Sequence, residues 1–145
     1  MSSEARRALV SGSSSGIGLA ISRALLADGW SVTGLDRAPA QIEDRRFRSV
    51  ELDLCDAAAT EAALRAQGPV QALVHAAGVL RVGRLGELDG AAGEQMWRLH
   101  VDAATRLADQ VVPPMVSAGG GRWSAAAARA SGWPSAVRCW PTAGR

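Results

Sequence analysis

Residues Ser11-Gly12-Ser13-Ser14-Ser15-Gly16-Ile17-Gly18 set three glycines at a G-x-x-x-G-x-G spacing, between an apolar run and an amphipathic helical pattern. Each glycine has a separate physical role in such a turn. Gly12 permits a tight reversal after Arg7–Ser11, which reads as a buried first strand. Gly16 lets backbone approach a pyrophosphate with no Cβ between them, and Gly18 lets the following helix pack closely on the sheet. That helix, residues 16–28, carries Ile17, Ile21, Ala24 and Leu25 on one face, and Gly29 stands where a C-cap glycine belongs. Its first-turn N–H groups and positive dipole end then face phosphate. A bare glycine pattern is a weak signal, but strand, loop and helix in this order predict a nucleotide site.

Strands and helices keep alternating beyond it. Ser31–Asp36 reads as a second strand, residues 38–46 as a short helix or turn, and residues 47–52 as a third strand. Asp56 caps a helix over residues 57–67, which Gly68-Pro69 breaks. Residues 70–75 form a fourth strand and 78–90 a glycine-rich loop. A long helix over 91–112 carries Met96, Leu99, Ala103, Leu107 and Val111 on one face, and Pro113-Pro114 end or kink it. This alternation predicts an α/β domain over residues 1–121: an incomplete doubly wound parallel sheet, Rossmann-like, with strand order 3-2-1-4. After Gly121 neither a 2-residue nor a 3.6-residue period survives. Residues 122–145 are expected to be an irregular, disordered tail with no fifth strand. Strand 4 would then be an open apolar edge, and poor solubility is expected.

The net charge of +2 conceals an asymmetry, because all 14 acids lie in residues 1–109 while residues 110–145 carry four Arg and no acid. Those arginines are spread out and lack an aromatic stacking platform, so nucleic acid is not an expected partner. No apolar run of eighteen residues predicts a membrane span, and residues 1–4 do not read as a secretory signal. Cys55 and Cys139 lie far apart with no metal-type spacing, so reduced thiols and a cytoplasmic location are expected, with no metal site. The chain has no Lys, no Tyr and no Asn, and all 16 basic residues are Arg. Chemistry in these residues therefore has no phenol and no ε-amine.

Asp36 ends strand 2, eighteen positions after Gly18. An acid there accepts hydrogen bonds from the ribose hydroxyls of NAD and repels a 2′-phosphate. The plainer alternative is a solvated aspartate at a strand end. Arg37 keeps NADP in play, but the glycine loop holds no base, so NAD is favoured.

Together these residues resemble the short-chain dehydrogenase/reductase family over roughly residues 7–121. The likeness is carried by Gly12, Gly16 and Gly18, by Asp36, by Asp53-Leu54 after strand 3, and by His75-Ala76-Ala77-Gly78 after strand 4. The resemblance implies a cofactor site of Gly12, Ser14, Ser15, Gly16, Ile17, Gly18, Asp36, Arg37, Asp53, Leu54, His75, Ala76, Ala77 and Gly78. It also implies oxidation or reduction of a carbonyl/alcohol pair on a small-molecule substrate. The departures bear on mechanism. His75 replaces an asparagine that steadies the family's central sheet. His100 stands where the family places a catalytic asparagine on the long helix, and a histidine there is either a substitute or simply packed. The family's general acid/base is the tyrosine of a Tyr-x-x-x-Lys pair, and no such pair occurs here. Arg stays protonated and does not replace it. A hydrolase triad is rejected, since no histidine or acid follows Ser124, Ser131 or Ser135.

Three readings remain open. In the first, the chain is a truncated or frame-shifted dehydrogenase without activity; Ala, Arg, Gly, Pro, Ser and Trp in the tail suit a GC-rich gene read out of frame. In the second, it is a non-catalytic NAD-binding or regulatory module that pairs with another copy through the long helix, although that helix face equally suits its own sheet. In the third, it is an active oxidoreductase with an unusual acid/base.

Overall fold

The computed structural model describes residues 6–87 and 89–119, and the backbone of 122–125. Strand β1 (Arg7–Ser11) leads through the glycine turn into helix α1 (Gly16–Ala27), followed by β2 (Ser31–Asp36), β3 (Phe47–Glu51), α2 (Ala57–Gln67) and β4 (Ala72–His75). Helix α3 (Gly90–Trp97) passes through one π turn (Arg98–Asp102) into α4 (Ala103–Ser117), and β5 (Arg122–Ala125) closes the described chain.

The strands form one parallel sheet in the order β3-β2-β1-β4-β5. The 3-2-1-4 order expected from the alternation is present, and Ser11 lies in register with both Leu35 and His75. The carboxyl ends of three strands therefore finish level, at the edge where the glycine turn leaves β1. Alternation along the strands supplies two cores, as a sheet covered on both faces requires. Leu9, Leu35 and Leu73 pack with Leu64 of α2 and with Ala103, Leu107, Val111 and Met115 of α4. Ala8, Val10, Val32, Ala72 and Val74 point the other way, toward Leu26, Leu25 and Ile21 of α1.

Local signals produced the helix ends. Gly29 has φ +83°. Trp30 N–H reaches Leu25 O at 3.0 Å and Gly29 N–H reaches Leu26 O at 3.1 Å, a Schellman closure that needs the left-handed residue. Asp56 accepts from Ala59 N–H at 3.0 Å, capping α2.

Several expectations need correction. A fifth strand exists: Arg122–Ala125 pairs with β4, from Ala72↔Arg122 to His75↔Ala125. Four residues are too few to display a period, and the pairing comes from the free backbone groups of β4, which a neighbouring strand satisfies whatever its side chains. The edge of β4 is therefore covered, and the irregular tail does not begin at residue 122; residues 126–145 lie outside the described residues. Pro113 and Pro114 do not end the long helix, which runs to Ser117. An interior proline costs about 3 kcal/mol. Two of them together cost about 6 kcal/mol, and keeping Val111 and Met115 buried contributes about 1.5–3 kcal/mol for each side chain, a sum of the same order that offsets most of that cost. Of the short helix or turn expected over residues 38–46, the structure has a turn at 45–46 and no helix. The long helix is one α-helical path only if the π turn is overlooked, and its Ala103 and Leu107 are fully buried against its own sheet. Among the described residues no helix is long and apolar enough to cross a membrane.

Candidate functional site

A cleft of about 330 Å³ opens at the carboxyl ends of the strands. One wall is the glycine turn. Gly12 has φ +68°, and a Cβ there would lie 2.6 Å from Ala77 N, so both conformation and space demand glycine. A Cβ on Gly18 would lie 1.9 Å from Gly12 O, so the close approach that requires this glycine is to the turn itself, where packing of the helix on the sheet was expected. Gly16, at φ +49°, has open space where a Cβ would stand. The Ser15 side chain makes no capping bond, and the first bond of α1 is Leu19 N–H to Ser15 O at 3.1 Å. The leading amides of α1 thus meet the cleft without a side-chain acceptor, in the arrangement that suits a phosphate.

Asp36 does more than end β2. Its Oδ2 accepts from Ser14 N–H at 2.9 Å and its Oδ1 from Ala38 N–H at 2.9 Å, while Ser14 Oγ–H donates to Ala38 O at 3.1 Å. The carboxylate ties the glycine turn to the chain leaving β2 and still lines the cleft beside Arg37. Each oxygen keeps a second lone pair for a ligand hydroxyl. Across the cleft, Asp53 Oδ1 accepts from Cys55 N–H at 2.8 Å, and Arg106 donates to Leu54 O at 3.3 Å, pinning this loop to α4. Burial, then the Asp53 charge, pushes the Cys55 thiol up, so it stays protonated near neutral pH.

The third wall is Ala76–Gly78, and behind it sits His75. Its Nε2 meets Leu99 O at 3.0 Å, an acceptor only, so Nε2 carries the proton and Nδ1 accepts from Ser11 Oγ–H at 2.7 Å. Ser11 Oγ in turn accepts from the N–H groups of Ala76 and Ala77 at 3.2 and 3.3 Å. Burial pushes the His75 imidazole below its ordinary value, outweighing the Leu99 carbonyl. His100 faces the same wall: its Nε2 lies 2.8 Å from Val79 O, and a Cβ on Gly78 would come within 2.6 Å of its Cε1.

Of the residues read from sequence, Gly12, Ser15, Gly16, Ile17, Asp36, Arg37, Asp53, Leu54, Ala76, Ala77 and Gly78 line one cleft. Ser14, Gly18 and His75 stand behind its walls and hold them. His100 contacts the wall and does not line the cleft. Sequence reasoning missed Ala38, Leu52, Cys55, Val79, Gln95 and Leu99, which complete the lining. It also missed Gly34 of β2, where a Cβ would overlap the buried Ser13 Oγ at 2.3 Å. The glycine within an otherwise bulky strand was the available signal for that contact.

Fold and cleft define an α/β domain of the doubly wound, Rossmann-like type, with its cleft outside the strand ends where the chain switches direction from β1. The chain belongs to the short chain dehydrogenase family, which it matches over residues 6–135, past the Gly121 limit expected from sequence. It is 36% identical over 124 residues to D-erythrulose reductase of Gallus gallus, covering 82% of this chain and 50% of that protein. A short-chain dehydrogenase from Streptomyces avermitilis superposes with a TM-score of 0.79 at 30% identity, over 86% of this chain and 49% of the other. L-sorbose reductase from Gluconobacter frateurii, complexed with NADPH and L-sorbose, superposes with a TM-score of 0.71 at 27% identity, over 82% and 51%. The chain spans about half the length of the curated relatives it matches.

Proposed function

We propose that the chain binds a nicotinamide dinucleotide in this cleft, as the cofactor-holding part of an oxidoreductase acting on a carbonyl/alcohol pair. The observation that carries the reading is the glycine turn: Gly12 and Gly18 are locked by close contact, Gly16 is open, and the leading amides of α1 are uncapped beside it. The fit is specific in kind. Pyrophosphate oxygens would take the amides of residues 15–17, the ribose hydroxyls would take Asp36, and Asp53 with Leu54 would flank the adenine. When bound, the cofactor supplies a hydride acceptor or donor. These residues orient it and exclude water from one of its faces.

NAD is the preferred form. The Asp36 carboxylate is anchored by two backbone amides and does not swing away from a 2′-phosphate, whose charge it would repel. Arg37 offers a partial counterweight, and the sorbose reductase carries NADPH, so the test must include both cofactors. Ketoses or the corresponding polyols are the favoured substrate class, on the names of the erythrulose and sorbose reductases.

These 145 residues alone are proposed to bind without turnover. They contain no tyrosine and no lysine, and both histidines are engaged by backbone carbonyls. A non-catalytic NAD-binding role follows for the chain as given. Pairing of two copies would then use the outer side of the long helix, where Trp97 and Val101 are exposed, because its inner face is occupied. A cytoplasmic setting is part of the same proposal. Calorimetric titration of NAD and NADP into the purified chain tests it: NAD should bind more tightly. Absence of heat with either cofactor at millimolar concentration would remove the central claim.

A further inference from the structure

The π turn sits where two histidines meet the cleft wall, and the hydrogen bonds explain why it is there. At its end Ala103 N–H bonds Arg98 O, five residues back. In an α-helix that amide would take Leu99 O instead. The wider turn leaves the Leu99 carbonyl to His75 Nε2–H, across 24 residues of sequence. π turns inside helices recur at functional sites, and here the displaced carbonyl has an identified partner.

We propose that His75 is the positioning residue of the cofactor cleft, holding the β1 glycine turn, the Ala76–Ala77 turn and the π turn together through one uncharged tautomer. The inference rests on the dinucleotide reading above. The ring bridges three elements, and each bond has only one workable direction. Leu99 O accepts only, so Nε2 donates. Nδ1 then accepts from Ser11 Oγ–H, which leaves the Ser11 oxygen free to accept from Ala76 and Ala77 N–H. A second proton on the ring turns Nδ1 into a donor aimed at an oxygen that already receives two N–H groups, and the Ser11 hydroxyl proton loses its acceptor. Ser11 precedes Gly12 directly, and Ala76, Ala77 and Leu99 line the cleft, so the disturbance reaches two of its walls.

Among the described residues the surroundings of His75 add no compensating charge. From the long helix the facing titratable group is His100, which is repulsive to a charged His75. From β1 the neighbour is Ser11, the Ala76–Gly78 turn carries no charge, and Ala125 stands opposite in the β5 register. Burial further disfavours the charged ring.

The test uses the full chain, labelled at the histidine ring nitrogens, with His75→Asn as the second variant. Asn offers one donor and one acceptor and does not titrate. The signal lost in His75→Asn identifies His75. At neutral pH its Nδ1 should report as unprotonated and Nε2 as protonated; the reverse tautomer overturns the proposal whether or not cofactor binds. NAD is the titrant, because the 2′-phosphate of NADP would itself titrate near pH 6. In wild type, NAD affinity should fall about tenfold per pH unit below the His75 midpoint, as one obligatory deprotonation requires. In His75→Asn the same span should change affinity by less than about twofold. Equal pH profiles in the two proteins overturn the positioning role. Should His75→Asn fail to fold, the wild-type affinity midpoint must coincide with the nitrogen-shift midpoint, and separation by more than about one pH unit refutes the link. A wild type that keeps the stated tautomer but never binds NAD removes the dinucleotide reading and leaves the three-way hydrogen bond standing.

Discussion

Substituting alanine at Gly12 and at Gly16 separates two jobs that the glycine pattern merges. Both residues have positive φ, +68° and +49°. Placing an L side chain in the left-handed region costs about 1–2 kcal/mol, partly offset by about 0.4–1 kcal/mol from restricting the unfolded chain. At Gly16 nothing else opposes the Cβ, because no atom lies within 4 Å. Gly16→Ala should therefore lose between nothing and about 1.6 kcal/mol of stability. At Gly12 the Cβ meets Ala77 N at 2.6 Å, Ala77 Cα at 2.7 Å and Ala76 C at 2.8 Å, all backbone. No flexible side chain can give way, so a further overpacking cost of about 1–3 kcal/mol applies. Gly12→Ala should lose about 1–4.6 kcal/mol in total, always about 1–3 kcal/mol more than Gly16→Ala, lowering Tm by about 3–18 °C for a chain of this size. The binding order is the opposite one. The Gly16→Ala methyl stands in the cleft against the expected pyrophosphate and should weaken NAD at least about tenfold. Thermal unfolding by circular dichroism and NAD calorimetry on both variants read the two effects. Equal stability losses, or Gly16→Ala binding as wild type, would refute the reasoning about which glycine does what.

Other perturbations have definite expected outcomes. Asp36→Ser removes the charge facing a 2′-phosphate and should shift preference toward NADP by about tenfold or more, at an effective dielectric near that of water; an unchanged NAD/NADP affinity ratio would count against the specificity argument. Leu107→Ala empties a fully buried position between α4 and the sheet and should cost about 2–5 kcal/mol in urea unfolding, with β4 and α4 loosening together. Because the folded state holds the His75 ring below its ordinary value, the unfolded chain binds more protons in that range. Stability should be full above about pH 6.5 and decline as pH falls below it, a slope that His75→Asn removes in denaturant midpoints measured across that range.

What was readable from the sequence was local. The glycine turn, the Gly29 closure and the Asp56 cap each depend on residues within one turn of one another, and each formed as expected. The strand order followed from alternation alone. The features that escaped are set by partners distant in sequence. β5 is created by the unpaired edge of β4, not by the character of Arg122–Ala125. The π turn answers a donor on His75, and the helix passes through Pro113 and Pro114 because Val111 and Met115 are anchored in the core. Of the cleft, the loops carrying glycines and acids were visible, whereas Leu52, Gln95 and Leu99 belong to it only through packing. Asp36 ends β2 where the sequence put it, but its tie to Ser14 N–H spans 22 residues and leaves no trace in a local pattern.

The most direct measurement is a titration of NAD into the ¹⁵N-labelled chain, followed at individual backbone amides. Saturable shifts should centre on Ser15, Gly16 and Ile17, with smaller ones at Ala77 and Gly78. Gly68 and Val70, which line a separate cavity at the far end of the sheet, should stay still. Shifts largest around Gly68 and Val70, or none at millimolar NAD, would contradict a phosphate site at the glycine turn.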